Sequence, residues 1–115
     1  MDATADLTVL GIELRDVRIP LLRTYRSAGT TIDSRRLITV RITAGDSAGW
    51  GEAAPVPGYS TDTAEDAWNE LAALSSDLEA MPLSAVAAAA THLDAPSARH
   101  ALETALADLQ GRAQG

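Results

Sequence analysis

The hydrophobic period of this sequence changes once, across a stretch that neither helix nor strand can cross. "GWGEAAPVPGYSTDT", residues 49 to 63, sets glycines on both sides of Trp50 and then places Pro55, Pro57 and Gly58 in close succession. Proline removes a backbone donor and fixes φ, so the segment divides the chain into two parts. Upstream, Ile38, Val40 and Ile42 alternate with Thr39, Arg41 and Thr43, the period of a strand with one buried face. Downstream, Ala64, Ala67, Trp68, Leu71, Leu74 and Leu78 recur at helical steps. Strands before the break and helices after it predict an α+β domain.

The first half predicts a three-stranded antiparallel sheet. Leu10, Ile12 and Leu14 alternate with Gly11 and Glu13. The buried parity changes between Leu14 and Val17, as at a bulge or twist, and Pro20 is expected to end this strand. "LLRTYRSAGTTIDSR", residues 21 to 35, shows no clean period and is read as a long loop. Gly45-Asp46 predicts a tight hairpin into a third strand through Ala48 to Ala53.

About three helices are expected after the break. The first should start near Thr61, with Asp62 and Glu65 spaced as a capping box. Pro82 can begin a shorter Ala-rich helix ending near His92. Pro96 suits the first turn of a third, where Ala98, Ala101, Leu102, Ala105, Leu106 and Leu109 form one apolar stripe and Gly111 is expected to stop it.

Composition narrows what such a domain can do. One domain of 115 residues buries about two thirds of its extended surface. With 46% hydrophobic residues but no Phe, two Trp and two Tyr, its core must be aliphatic. All nine basic residues are arginine, so the chain supplies no Schiff-base lysine, phosphate-loop lysine or lysine general base. A net charge of -7 argues against nucleic acid as a partner. The absence of cysteine excludes disulfides and thiolate chemistry. "MDATADLTVLGIEL" lacks the basic region and apolar run of a signal peptide, and no segment is apolar enough to span a membrane. A cytoplasmic location is the expectation.

Few residues offer chemistry. Asp62, Glu65, Asp66 and Glu70 could present oxygens to a divalent cation, but acids in a first helical turn also complement the helix dipole. His92 and Asp94 lack a nucleophile on an elbow motif, and His92 and His100 read as solvated helix residues. Two segments remain, Pro20 to Arg35 and Ala53 to Ser60. An antiparallel sheet can bring them to the same end, either as a binding surface or as plain connections.

Three longer stretches resemble a known family. "IPLLRTYRSAG", "RRLITVRITAGDSAGWGEAAPVPGYSTDT" and "APSARHALETALADLQGRAQG" together resemble the N-terminal capping domain of the enolase superfamily. Within it they look most like the muconate-cycloisomerase branch, and there most like o-succinylbenzoate synthase. The likeness runs from about Leu10 to Gly115, and dipeptide epimerases and cycloisomerases carry similar segments.

The resemblance implies a capping domain over residues 1–111, with 112–115 starting the connection to a C-terminal (β/α)-barrel. In that family the barrel is the domain's own partner and holds the catalytic lysines and the acidic ligands of Mg²⁺. No cofactor is then expected on this chain, whose role would be to exclude water and select the distal group of a small carboxylate substrate. The implied reaction is dehydration of a cyclohexadiene carboxylate to o-succinylbenzoate, a step of menaquinone biosynthesis. The loops implied to reach the substrate map to Leu21–Gly29 and Ala53–Ser60, with Leu22, Tyr25, Arg26, Pro57 and Tyr59 as expected contacts. The rival expectation is a small binding module that catalyses nothing.

Overall fold

The computed structural model describes residues 7–27 and 29–114. The reading of the N-terminal stretch as no signal peptide rests partly on residues 1–6, which lie outside the described residues. Three strands come first, β1 (Val9–Ser27), β2 (Thr30–Ala44) and β3 (Ser47–Ala53), in the order β1-β2-β3 with both pairs antiparallel. Helices α1 (Ala64–Leu78), α2 (Leu83–Ala90) and α3 (Pro96–Gln114) come after them, giving the expected α+β architecture.

One face of the sheet carries the core. Ile38, Val40, Ile42 and Ala44 of β2 are buried in alternation, and the α3 stripe from Ala98 to Leu109 is buried as its spacing predicts. Gly49 and Gly51 let α3 lie directly on β3. A Cβ on Gly49 would collide with the backbone of Ala105 and Leu109, and one on Gly51 with the Ala101 carbonyl. Trp50, between them, faces the other side, where the Arg41 guanidinium lies 5.5 Å from its ring centroid. The flanking glycines are therefore packing residues, and the tryptophan belongs to the open face of the sheet.

The segment read as a loop is strand. β1 runs on through Pro20 to Ser27, and β2 already begins at Thr30. Pro20 is tolerated because β1 is an edge strand, where a missing N–H need not break a ladder. The irregularity expected between Leu14 and Val17 is absent. Pairing is continuous from Gly11↔Thr43 to Pro20↔Ser34, so Ile12 and Leu14 lie on the core side and Val17 and Ile19 on the other. The register shifts lie instead between Val9 and Gly11 and between Pro20 and Tyr25, where residues 21–24 stand opposite Asp33 alone. This distal half of the hairpin is largely exposed, and Ile32 is its one buried side chain among the described residues. With little burial to enforce alternation, its sequence carries no period.

The helix boundaries differ by small, explicable amounts. α1 starts at Ala64 because Thr63, not Asp62, is the cap: its hydroxyl accepts from the Asp66 N–H and the Asp66 carboxylate accepts from the Thr63 N–H. Pro82 caps α2, which ends at Ala90. α3 does not stop at Gly111, because nothing crowds that exposed turn and the helix continues to Gln114. The α1–α2 connection closes the start of the β1 edge, with Val9 N–H donating to the Met81 carbonyl at 2.8 Å and Ala80 N–H to the Val9 carbonyl at 2.9 Å.

Candidate functional site

The Pro-rich turn leaves β3 beside the projecting hairpin and is held there. Arg35 Nη2 donates to the Ala54 carbonyl at 2.9 Å, fastening the start of the turn to β2. Within the turn, the N–H groups of Tyr59 and Ser60 donate to the Val56 carbonyl, and the Val56 N–H donates to Ser60 Oγ at 2.8 Å. Gly58 has φ 85° and sits so close to Thr30 that a Cβ there would lie 2.6 Å from its hydroxyl oxygen. At the far end, the Asp62 carboxylate accepts from both the N–H and the hydroxyl of Ser97, on the first turn of α3. The turn thus spans from sheet to helix with both ends fixed, its glycine touching the hairpin.

A cleft of about 450 Å³ opens between hairpin and turn, lined by Leu21, Arg23, Tyr25, Ile32, Arg35 and Val56. It is mostly apolar, with two guanidinium groups and a phenol among its walls. Of the expected contact residues, Tyr25 lines this cleft. Leu22 stands fully exposed in the register shift, and Arg26 is exposed on the hairpin beyond it. Pro57 lines a separate hollow with Arg36, Pro55 and Glu65, and Tyr59 is exposed on the turn. Sequence reasoning misses Arg23 and Arg35 as cleft residues, because a loop assignment gives residues 21 to 35 no faces. The "SRRL" run leading into the alternation of β2 is the available signal, since one of two consecutive strand residues must face the turn.

The acids considered as cation ligands have structural partners. Asp66 completes the cap of α1. Glu70 accepts from the N–H groups of Asp94 and Ala95, both at 2.6 Å, and with Asp62 it satisfies donors at the start of α3. Among the described residues, no group of three or more His, Asp or Glu side chains is placed to hold a metal ion. The shifted pKa values lie away from the cleft. On the edge strand β1, hydrogen bonds from Arg36 hold the Asp16 carboxyl below its ordinary 3.8. On α3, the Trp50 N–H and then Arg112 do the same for Asp108. The cleft therefore offers apolar contact and positive charge, without a placed acid–base pair.

Residues 18–109 match the family described as "MenC, N-terminal domain". No curated protein matches the chain. Among solved structures, an L-Ala-D/L-Glu epimerase from Bacillus subtilis is 29% identical, with TM-score 0.75 over 93% of this chain and 31% of its own. A mandelate racemase/muconate lactonizing protein from Herpetosiphon aurantiacus is 26% identical, with TM-score 0.77 over 93% of this chain and 32% of its own. A dipeptide epimerase from Enterococcus faecalis, complexed with Mg and the dipeptide L-Leu-L-Tyr, shares the fold at 21% identity, with TM-score 0.79 over 93% of this chain and 32% of its own. The chain thus spans about a third of the length of these structures. No helix among the described residues is long and apolar enough to cross a membrane. A family match across most of the sequence and a shared three-strand, three-helix architecture lead to one assignment: the chain belongs to the MenC N-terminal domain family, as a capping domain of the enolase superfamily.

Proposed function

We propose that this domain is the substrate lid of an o-succinylbenzoate synthase-like enzyme, which dehydrates a cyclohexadiene carboxylate with the help of Mg²⁺ as a step of menaquinone biosynthesis. The observation that carries the reading is the match of residues 18–109 to the MenC N-terminal domain. It is supported by a hairpin tip and a Pro-rich turn that meet around one cleft. A lid needs such an arrangement, because excluding water and gripping a substrate's distal end takes apolar surface and fixed polar groups, not acid–base machinery.

Among the described residues, the acids do not fit a magnesium site. Asp62, Asp66 and Glu70 are engaged at helix ends, and no lysine is present to act as base. In this reading metal binding and proton transfer belong to the barrel domain. Leu22, Tyr25, Arg26, Pro57 and Tyr59 remain in the proposal as residues turned toward the substrate, joined by the cleft residues.

A second reading, the lid of a dipeptide epimerase, is favoured by the 29% identity to the Bacillus subtilis epimerase. Assaying the protein that joins this domain to its barrel separates the two. Mg²⁺-dependent formation of o-succinylbenzoate is the expected result. Epimerisation of dipeptides without dehydration would transfer the assignment to the second reading, and turnover independent of Mg²⁺ would sink both.

A further inference from the structure

Backbone pairing stops where the Pro-rich turn begins. The ladder between β2 and β3 ends at Ile38↔Ala53, while the outer part of β2 stays paired to β1 from Leu37 to Ser34 and again from Ile32 to Thr30. Among the described residues, no backbone hydrogen bond joins residues 54–58 to residues 30–37. The sequence accounts for the break. Pro55 and Pro57 have no N–H, and the Val56 N–H is taken by Ser60 Oγ, so three successive residues have no donor to offer β2.

Side-chain contacts fasten the turn along this unpaired stretch instead. Arg35 Nη2 donates to the Ala54 carbonyl at 2.9 Å, and Gly58 packs against Thr30 at the start of β2. Between the two contacts Ile32 and Val56 line one cleft, with Ile32 buried. The turn is also closed on itself, since the N–H groups of Tyr59 and Ser60 donate to the Val56 carbonyl, so its shape does not depend on β2. Two effects oppose each other in the closed arrangement. It keeps Ile32 from water, but it also shuts Arg35 Nε from solvent with no hydrogen-bond partner among the described residues, a donor that lifting the turn would hydrate. A segment with few backbone bonds to its neighbour and little buried apolar surface is the kind that opens locally.

We propose that the Pro-rich turn is a hinged strap, latched to β2 by Arg35 at one end and by the contact of Gly58 with Thr30 at the other, which lifts as one body while the sheet stays paired. Its hinges are the last ladder residue, Ala53, and Asp62, whose carboxylate accepts from the N–H and hydroxyl of Ser97. Arg35 is then a positioning residue that acts through Ala54 and sets how often the strap is open. The inference concerns the free domain and needs neither the synthase nor the epimerase reading.

The test follows this chain by NMR without ligand. Relaxation dispersion at the Ile32 and Val56 methyl groups and solvent exchange of the Arg35 Nε–H should report one process with one open population, while the amides of Ile38, Val40 and Ile42 take no part in it. Arg35→Met should raise the open population at both methyl groups about ten-fold, as the loss of one hydrogen bond from a charged donor implies. Arg35→Lys keeps a donor for the Ala54 carbonyl and should restore part of the latch, a rescue that lost packing alone would not produce. Gly58→Ala acts on the second latch with Arg35 intact and should raise the same population, so it decides the matter if Arg35→Met fails to fold. Unequal open populations at Ile32 and Val56, or Arg35 Nε–H exchange no faster than that of the core amides, overturns the strap.

Discussion

The backbone N–H of Trp50 donates to the carboxylate of Asp108 at 2.9 Å, so a side chain from α3 occupies a donor on the open edge of β3. The same carboxylate accepts from Arg112 Nε at 3.1 Å. Sheet edge and helix are therefore joined by one charged group, in addition to the apolar contact beneath it.

That link sets a pH dependence. Asp108 has its folded pKa lowered from the ordinary 3.8, first by the Trp50 N–H and then by Arg112. A depressed carboxyl contributes its full stabilisation above the unfolded value and loses it as the pH falls through the folded one. In urea melts, the stability gap between wild type and Asp108→Ala should stay constant from about pH 7 down to about pH 5 and close below the unfolded value. A gap that widens in acid would contradict the assignment.

The contact of α3 with β3 tolerates no added carbon. Gly51→Ala would drive a Cβ into the Ala101 carbonyl and Gly49→Ala into Ala105 and Leu109, all helix backbone that cannot turn aside. Each should cost about 2–3 kcal/mol, at the upper end of overpacking penalties. Gly111→Ala makes the opposite case, because it lies exposed inside α3 with nothing near it. It should stabilise the domain by about 0.5–1 kcal/mol. Thermal melts of the three variants give the ranking directly.

Glu70 satisfies two backbone donors at the head of a helix other than its own. Removing it as Glu70→Ala should cost about 1–2 kcal/mol, as lost helix caps do. Hydrogen exchange should quicken at Asp94 and Ala95 and remain slow through the middle of α1. Equal acceleration in both helices would mean that Glu70 acts through α1 packing instead.

Gly58 combines a left-handed backbone with contact against Thr30. Gly58→Ala should cost about 1 kcal/mol for the backbone alone and should also push the turn off the hairpin. The expected signature is weakened nuclear Overhauser contact between the turn and Thr30 with the core amides unchanged. In the two-domain enzyme of the proposed function, KM should rise more than kcat falls.

How much the sequence disclosed depended on burial. The α3 stripe and the β2 alternation were legible to the residue because each lies against the core, where a wrong face is costly. The distal hairpin was not, since exposed strands need no alternation and Pro20 looked like a terminator. Gly111 misled for a related reason: an exposed helical glycine weakens a helix without ending it. The cap of α1 lay one residue from its expected place, because Asp62 is drawn away to Ser97 and leaves the capping to Thr63. At the candidate site, the cleft takes Leu21, Arg23, Tyr25 and Val56 from the two segments named by the resemblance, and Ile32 and Arg35 from β2, outside both. Arg35 stayed hidden because its relation to Ala54 spans 19 positions and no local pattern encodes it.

Among its described residues, the hairpin arm has almost nothing buried in it. A substitution there has little core to disturb, whereas one at Gly49 or Ala101 strikes the centre of the fold. Under the proposed function, folding and recognition fall at different ends of the same two strands. A lineage could retune what the arm grips, lengthening it, recharging it or reshaping its bulge, while the scaffold that carries it is inherited unchanged.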